Sequence, residues 1–333
     1  MHPRPIVIWG LLAIGLMLIP GPACAAQDDR GAAAVVYRAK VIHLNEKGKF
    51  LVWDLKGGEI DAETSSKLSR ESVTHLASDG DNLWAAGKSK LFSWSPKERS
   101  WKKLADFEGG GEELAALVGL GGSPLLVFPS KVKDPVERRT FKVPMLKGQV
   151  RTNSLRILAV HATDSMLWIG TGYGEWGGHL VGLNRRTGEW LQYYDALHYV
   201  TGITQAAPGE VTVSWSMSHI GANTLIRIHK LDGMPKTTYP ELDSKYYQRI
   251  SYSPFDKTLY GVENTDVVSI REGKPSKIAK LDGKVFEREP RALGVSPGVA
   301  VLLPIDQKTL IIVPNHGVPW RMTDGKLTRL PMR

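Results

Sequence analysis

Cysteine is nearly missing from this chain of 333 residues, which holds only Cys24. A single thiol cannot form an internal bridge, so a disulfide-stapled scaffold is excluded. Beyond residue 26 there is no unbroken apolar run of the roughly 20 residues that a membrane span needs. A sustained 3.6-residue apolar period is lacking too, so helices should be few. The Gly-x-Ser-x-Gly elbow and the His-Glu-x-x-His pair, which announce common hydrolases and zinc proteases, do not occur. Gly80 to Gly87-Lys88-Ser89 is too widely spaced for a phosphate loop. Gly170 to Gly174 is not a dinucleotide fingerprint, because no helix follows it.

What is present describes a globular, basic, exported protein. Hydrophobic residues make up 42% and charged residues 23%, too balanced for wholesale disorder. The formal net charge of +9 favours anionic neighbours: acidic glycans, lipid headgroups or an acidic protein. Residues 1–26 have the grammar of a signal peptide. Arg4 supplies the positive start, Ile6 to Ile19 the apolar stretch, Pro20-Gly21-Pro22 the break and Ala23-Cys24-Ala25 the small-x-small cleavage site. Periplasmic or secreted export is expected. A lipoprotein anchored through Cys24 is the rival reading, weakened by Gly21 where a lipobox wants an aliphatic residue. Residues 27–333 are then expected to form one domain.

A pattern recurs along that domain: an alternating strand, a turn that usually holds glycine, then a second strand with polar flanks. It begins at Phe50, Leu91, Phe141, Leu180, Leu225, Val267 and Val318, at a mean spacing of about 45 residues. Gly58, Gly148, Gly188, Gly233, Gly273 and Gly325 sit where a tight hairpin needs a positive backbone angle. The second copy has no such glycine and turns at Pro96-Lys97-Glu98. Most hairpins are preceded by another apolar strand, such as Leu83–Gly87, Leu167–Gly170 or Leu310–Val313. Four strands per unit of 40 to 50 residues predict an all-β fold, a β-propeller of seven four-stranded blades, with six or eight as alternatives. The expected blades span about 35–65, 73–105, 113–150, 155–194, 199–240, 247–281 and 299–331. The first is the weakest, and residues 282–298 make an unusually long connection before the last.

The fourth unit reads Leu167-Trp-Ile-Gly-Thr-Gly172, then Gly178-His-Leu-Val-Gly-Leu-Asn-Arg-Arg-Thr-Gly-Glu-Trp190. It resembles the repeat of bacterial periplasmic sensor propellers found in two-component regulators. That resemblance implies a propeller blade and ligand sensing. The chain departs from the pattern in having no membrane span or signalling domain after the propeller, so any output would pass through a separate protein.

In such a fold the loops between second and third strands and the connections between blades share one rim. Lys131 to Arg139, Tyr173 to Gly178 and Met217 to Asn223 are the expected long loops. Asp195 to Tyr199, Asp243 to Gln248 and Lys284 to Gly298 are blade connections. The candidate ligand-binding residues are Tyr173, Glu175, Trp176, His179, His198, Tyr199 and His219, with Arg288 and His316 contributing from across the channel. Aromatic rings between hydrogen-bonding groups suit a sugar or another partly apolar ligand. The competing reading is that Tyr173 and Trp176 only cap the space between blades.

His161, His179, His198 and His219 raise the question of metal, but no close ligand pair accompanies them, so no metal and no cofactor is expected. The basic but mixed run from Lys131 to Arg139 reads as a solvated loop. The leading expectation is a non-enzymatic, sensor-like or scaffolding propeller. Its partner would be a carbohydrate, another anionic envelope component or an envelope protein, with no nucleic acid, and the chain is expected to be a monomer. The alternative is a lyase or hydrolase acting on an anionic glycan or cyclic ester in the channel, with histidine as base and Glu175 or a metal assisting.

Overall fold

The computed structural model describes residues 33–45, 48–55, 61–69, 72–144, 156–163, 166–172, 178–195, 199–216, 224–230, 247–263, 265–281, 299–314 and 318–331. The expected signal peptide lies outside them. Among these residues no helix is long and apolar enough to cross a membrane.

Seven antiparallel sheets follow one another along the chain. Sheet 1 holds β1 (Ala33–Tyr37), β2 (Lys40–Leu44) and β3 (Phe50–Asp54), followed by the helix α1 (Ala62–Leu68). Sheet 2 holds β4 (His75–Ser78), β5 (Leu83–Ala86), β6 (Lys90–Ser95) and β7 (Ser100–Asp106). Sheet 3 holds β8 (Ala116–Leu120), β9 (Ser123–Val127), β10 (Lys131–Asp134) and β11 (Arg139–Lys142). Sheet 4 holds β12 (Arg156–Ala162), β13 (Met166–Gly172), β14 (Gly178–Asn184) and β15 (Trp190–Asp195). Sheet 5 holds β16 (Tyr199–Thr204), β17 (Glu210–Ser216) and β18 (Thr224–Lys230). Sheet 6 holds β19 (Tyr247–Ser253), β20 (Thr258–Glu263), β21 (Asp266–Arg271) and β22 (Lys274–Lys280). Sheet 7 holds β23 (Val299–Pro304), β24 (Thr309–Pro314), β25 (Trp320–Thr323) and β26 (Lys326–Arg329).

Each sheet is a meander, and the first strands meet in the order β1, β4, β8, β12, β16, β19, β23 and back to β1. That closed ring is a β-propeller, the all-β architecture the repeat predicts.

Burial explains why the strands read as they do. A second strand lies between two neighbouring sheets and is covered on both faces, so it is apolar throughout rather than alternating. Every residue of β5, β13 and β24 is buried. In β13, Leu167 and Ile169 pack toward sheet 3, while Met166 and Trp168 pack toward sheet 5. The outermost strands β7, β22 and β26 are mostly exposed and carry the lysines and arginines. Sheets 1 and 7 are joined by a shared cluster that includes Val41, Trp53, Val301, Val313 and Leu330. The Trp53 indole N–H donates to the Pro331 carbonyl at 2.8 Å across the same junction.

Two local expectations are corrected. The third outer hairpin is β10–β11, turning at residues 135–138, and Phe141 lies in its outermost strand rather than opening a hairpin of its own sheet. Lys131 to Arg139 is therefore strand and tight turn, not a long rim loop. No glycine marks this turn: Arg138 takes the left-handed angle (φ 55°), and Asp134 accepts the Glu137 N–H at 3.0 Å.

In sheet 1 the outer position is taken by α1, which nothing in the apolar periodicity announced. Its serines cap the open edge of β3: Ser65 Oγ accepts the Val52 N–H at 3.1 Å, and Ser69 Oγ accepts the Phe50 N–H at 3.2 Å. The Asp61 N–H donates to the Val52 carbonyl, and Leu68 fills the gap beneath. Edge groups that a fourth strand would pair are satisfied by a helix of seven residues instead. Elsewhere the turn glycines stand where expected, with Gly188, Gly273 and Gly325 at φ 76–78°. Gly58, Gly148 and Gly233 lie outside the described residues.

Candidate functional site

The meander puts the connections between second and third strands, and those between sheets, at one end of the ring. Around sheets 4 and 5 the residues at that end are Gly172, Gly178, Tyr199 and the starts of β12 and β19. Of the candidate ligand-binding residues, His179 and Tyr199 are described. Tyr173, Glu175, Trp176, His198, His219, Arg288 and His316 lie outside the described residues.

His179 is the second residue of β14, directly opposite Thr171 of β13. Its N–H donates to Thr171 Oγ1 at 3.2 Å. The side chain is 4% exposed, and burial pushes its pKa down to about 4. Tyr199 opens β16 and is equally buried, lying across the ends of β13 and β14. This contact requires glycine. A methyl group at Gly178 would come within 2.7 Å of the Tyr199 Cα and 2.3 Å of the Thr171 carbonyl oxygen. At Gly172 it would meet Tyr199 Cβ at 3.1 Å. Close approach of the two sheets at the rim is thus written into two small residues.

Beneath the rim lies a polar layer that sequence reasoning missed. The inner strands of sheets 4, 5, 6 and 7 each carry a β-bulge near their start, between Ile157 and Ala159, Val200 and Gly202, Tyr247 and Ile250, and Val299 and Val301. A bulge leaves a carbonyl outside the ladder. Arg249 of β19 collects two of them: its Nη1 donates to Leu158 O at 2.8 Å and to Thr201 O at 3.3 Å. The side chain therefore spans from sheet 6 past sheet 5 to sheet 4. Beside it, Thr201 Oγ1 and Ser214 Oγ are 2.9 Å apart, both buried. Arg249 gave no signal in the sequence, because a lone arginine in a Tyr-Gln-Arg-Ile strand looks like a solvated one.

His161 lies deeper in β12, opposite Trp168. It is 7% exposed, and burial lowers its pKa to about 4. Both described imidazoles in this arc are neutral at pH 7 and shielded from solvent. A general base works best with a pKa near the operating pH, so these two are poorly suited to proton abstraction. Among the described residues no group of three or more His, Cys, Asp or Glu side chains could hold a metal ion. At this end of the ring the structure sets a buried imidazole and a buried tyrosine above a half-buried guanidinium that two backbone carbonyls hold in place.

No sequence-family model matches the chain, and no characterised protein matches it by sequence. Solved structures are similar in shape. The structure of U3-55K superposes with a TM-score of 0.55 at 12% identity, covering 94% of this chain and all of that one. The RRP9 WD40 repeats give 0.54 at 11% identity, over 89% and 92% of the two chains. The extracellular domain of the putative one component system BT4673 from B. thetaiotaomicron gives 0.47 at 10% identity. The likeness to that domain covers 94% of this chain but only about half (52%) of that one. At such identities the first two likenesses show a fold and nothing finer: this chain is built as a β-propeller, in the manner of WD40 repeats.

Proposed function

We propose that the protein is an exported, non-enzymatic recognition propeller, sensor-like or scaffolding, that holds a ligand or partner protein at the rim of sheets 4 and 5. The observation that carries this reading is that Tyr199 and buried, neutral His179 both lie at the same end of the ring, at the junction of sheets 4 and 5. Glycine lets the sheets close there, and Arg249 secures the layer below. Such a site binds through ring faces and hydrogen-bonding edges without needing a titrating base. The basic net charge favours an anionic envelope component, with a carbohydrate the chemistry that suits the tyrosine and tryptophan best. The likeness of the fourth unit to two-component sensor repeats supports a sensing role, with output through another protein. The signal-peptide grammar of residues 1–26 supports a periplasmic or secreted location.

The test is the thermal midpoint of the chain from residue 27 against neutral and acidic oligosaccharides, cell-wall fragments, divalent metals and chelator. An occupied native site raises the midpoint with ligand concentration. A shift with one glycan, lost in Trp176→Ala without loss of stability, is the expected result. A metal-dependent shift reversed by chelator would overturn the reading in favour of an enzyme. Silence across the panel would direct the search to a protein partner by pull-down.

A further inference from the structure

At the opposite end of the ring, between sheets 1 and 2, lies a pocket of about 190 Å³ lined by residues that the rim site does not use. Ile42 and Leu68 form its apolar floor, Tyr37 and Trp94 its aromatic walls, and Arg38, Lys40 and Arg99 its cationic lip. From these residues we infer a second binding site, independent of the rim, for a small organic anion carrying one flat ring.

The walls are held before any ligand arrives. Trp94 packs edge-on against Trp101 with ring centroids 5.3 Å apart. Trp101 in turn donates its indole N–H to the Leu68 carbonyl at 2.9 Å, locking the aromatic wall to α1. Lys40 is tied to Asp61 at the start of that helix, so its charge is balanced and its position set. Arg99 is paired with Glu63, but both partners are well exposed, and such pairs contribute little in water. Its guanidinium is therefore exchangeable toward a stronger anion.

Arg38 is the residue that points to a ligand. Among the described residues it has no carboxylate partner within ion-pair distance, and its guanidinium lies 5.4 Å from the Tyr37 ring centroid. It also occupies a costly backbone position. Arg38 and Ala39 form the β1–β2 turn with φ of 46° and 59°, whereas the matching turn of sheet 3 uses Gly121 and Gly122 at 57° and 79°. A non-glycine residue in this region costs roughly 1 kcal/mol or more. The turn is pinned by the Arg38 N–H, which donates to Gly80 O at 3.1 Å. An arginine kept where glycine would be unstrained, stacked near Tyr37 at the mouth of an aromatic-walled cavity and without a carboxylate partner among the described residues, is suited to receive an anion. The volume matches one six-membered ring, since an apolar cavity of about 150 Å³ accepts benzene, leaving the acid group at the cationic lip.

The experiment titrates the chain with phenyl phosphate by calorimetry, with inorganic phosphate and phenol as half-ligands. Phenyl phosphate should bind at least tenfold more tightly than either half. Arg38→Gly removes the guanidinium while relieving the backbone, so its thermal midpoint should hold while its affinity for phenyl phosphate falls at least tenfold. Trp176→Ala, at the rim, should leave this binding unchanged, which separates failure here from failure of the rim site. Unchanged affinity in Arg38→Gly, equal binding of phosphate alone, or no heat at about 10 mM phenyl phosphate would each overturn the proposal.

Discussion

The ring is made of two unlike arcs. In sheets 1 to 3 the inner strands pair residue for residue with their neighbours, and the junctions are packed with Leu, Val, Phe and Trp. In sheets 4 to 7 every inner strand is bulged near the rim, and hydroxyl groups, imidazoles and one guanidinium share the sheet 4–6 junctions. The regular arc is closed chiefly by burial, with single hydrogen bonds such as Arg38 N–H to Gly80 O across its junctions. The bulged arc needs specific hydrogen bonds to settle the carbonyls its ladders release. Regular packing makes a frame, while irregular backbone near a rim re-aims side chains, and the two described candidate ligand residues, His179 and Tyr199, lie on the irregular arc.

Acid is the largest perturbation and should blur the contrast. Burial lowers His43 and His75 in the first arc, and His161 and His179 in the second, from 6.5 to about 4. The unfolded chain therefore binds more protons in this window. The stability that these neutral imidazoles carry is complete above pH 6.5 and lost as pH falls through 4. Fully protonating a buried imidazole such as His43 or His161 costs about 3 kcal/mol. Urea denaturation at pH 7 and pH 4.5 should show a marked fall, with amide exchange rising in both arcs. A flat profile would remove the buried-imidazole account.

Arg249→Leu should sharpen the contrast. Stranding the Leu158 and Thr201 carbonyls should cost about 2 kcal/mol. Hydrogen exchange should quicken in sheets 4 to 6 and stay unchanged in sheets 1 to 3. Uniform loosening would mean that the arcs are not energetically distinct. The smallest effect belongs to the frame: Ser65→Ala removes the hydroxyl that caps the Val52 N–H, and should cost about 1 kcal/mol. Its exchange signature should be confined to sheet 1, and spread into sheet 4 would break the comparison.

Much of the frame was legible in the residues. The hairpins β6–β7, β14–β15, β21–β22 and β25–β26 were marked by alternating strands around polar turns, because an outer strand shows one face to water. Most second strands were marked by short apolar runs such as Leu83–Ala86 and Leu310–Val313. The outer hairpin of sheet 3 was misread because its turn uses Arg138 rather than glycine. The helix α1 escaped because Ala-Glu-Thr-Ser-Ser-Lys-Leu has a single large apolar residue, and its role rests on hydroxyl groups aimed at an edge strand. For the candidate site the sequence supplied residue types, of which the structure describes His179 and Tyr199. Arg249 and the bulges were not legible, since a one-residue slip in register leaves no mark on composition.

The sequence by itself determined the repeat and most of its strands, because hydrophobic patterning is a local property read at each residue. Tertiary structure alone decided how sheets 1 and 7 join, where the ladders slip, and which distant groups meet. The Trp53–Pro331 contact, the reach of Arg249 to Leu158 and the cationic lip of the pocket all join residues far apart in the chain or on different sheets. The first of these depends on ring closure, which joins sheets 1 and 7, and the others on sheets near one another in the ring packing side by side.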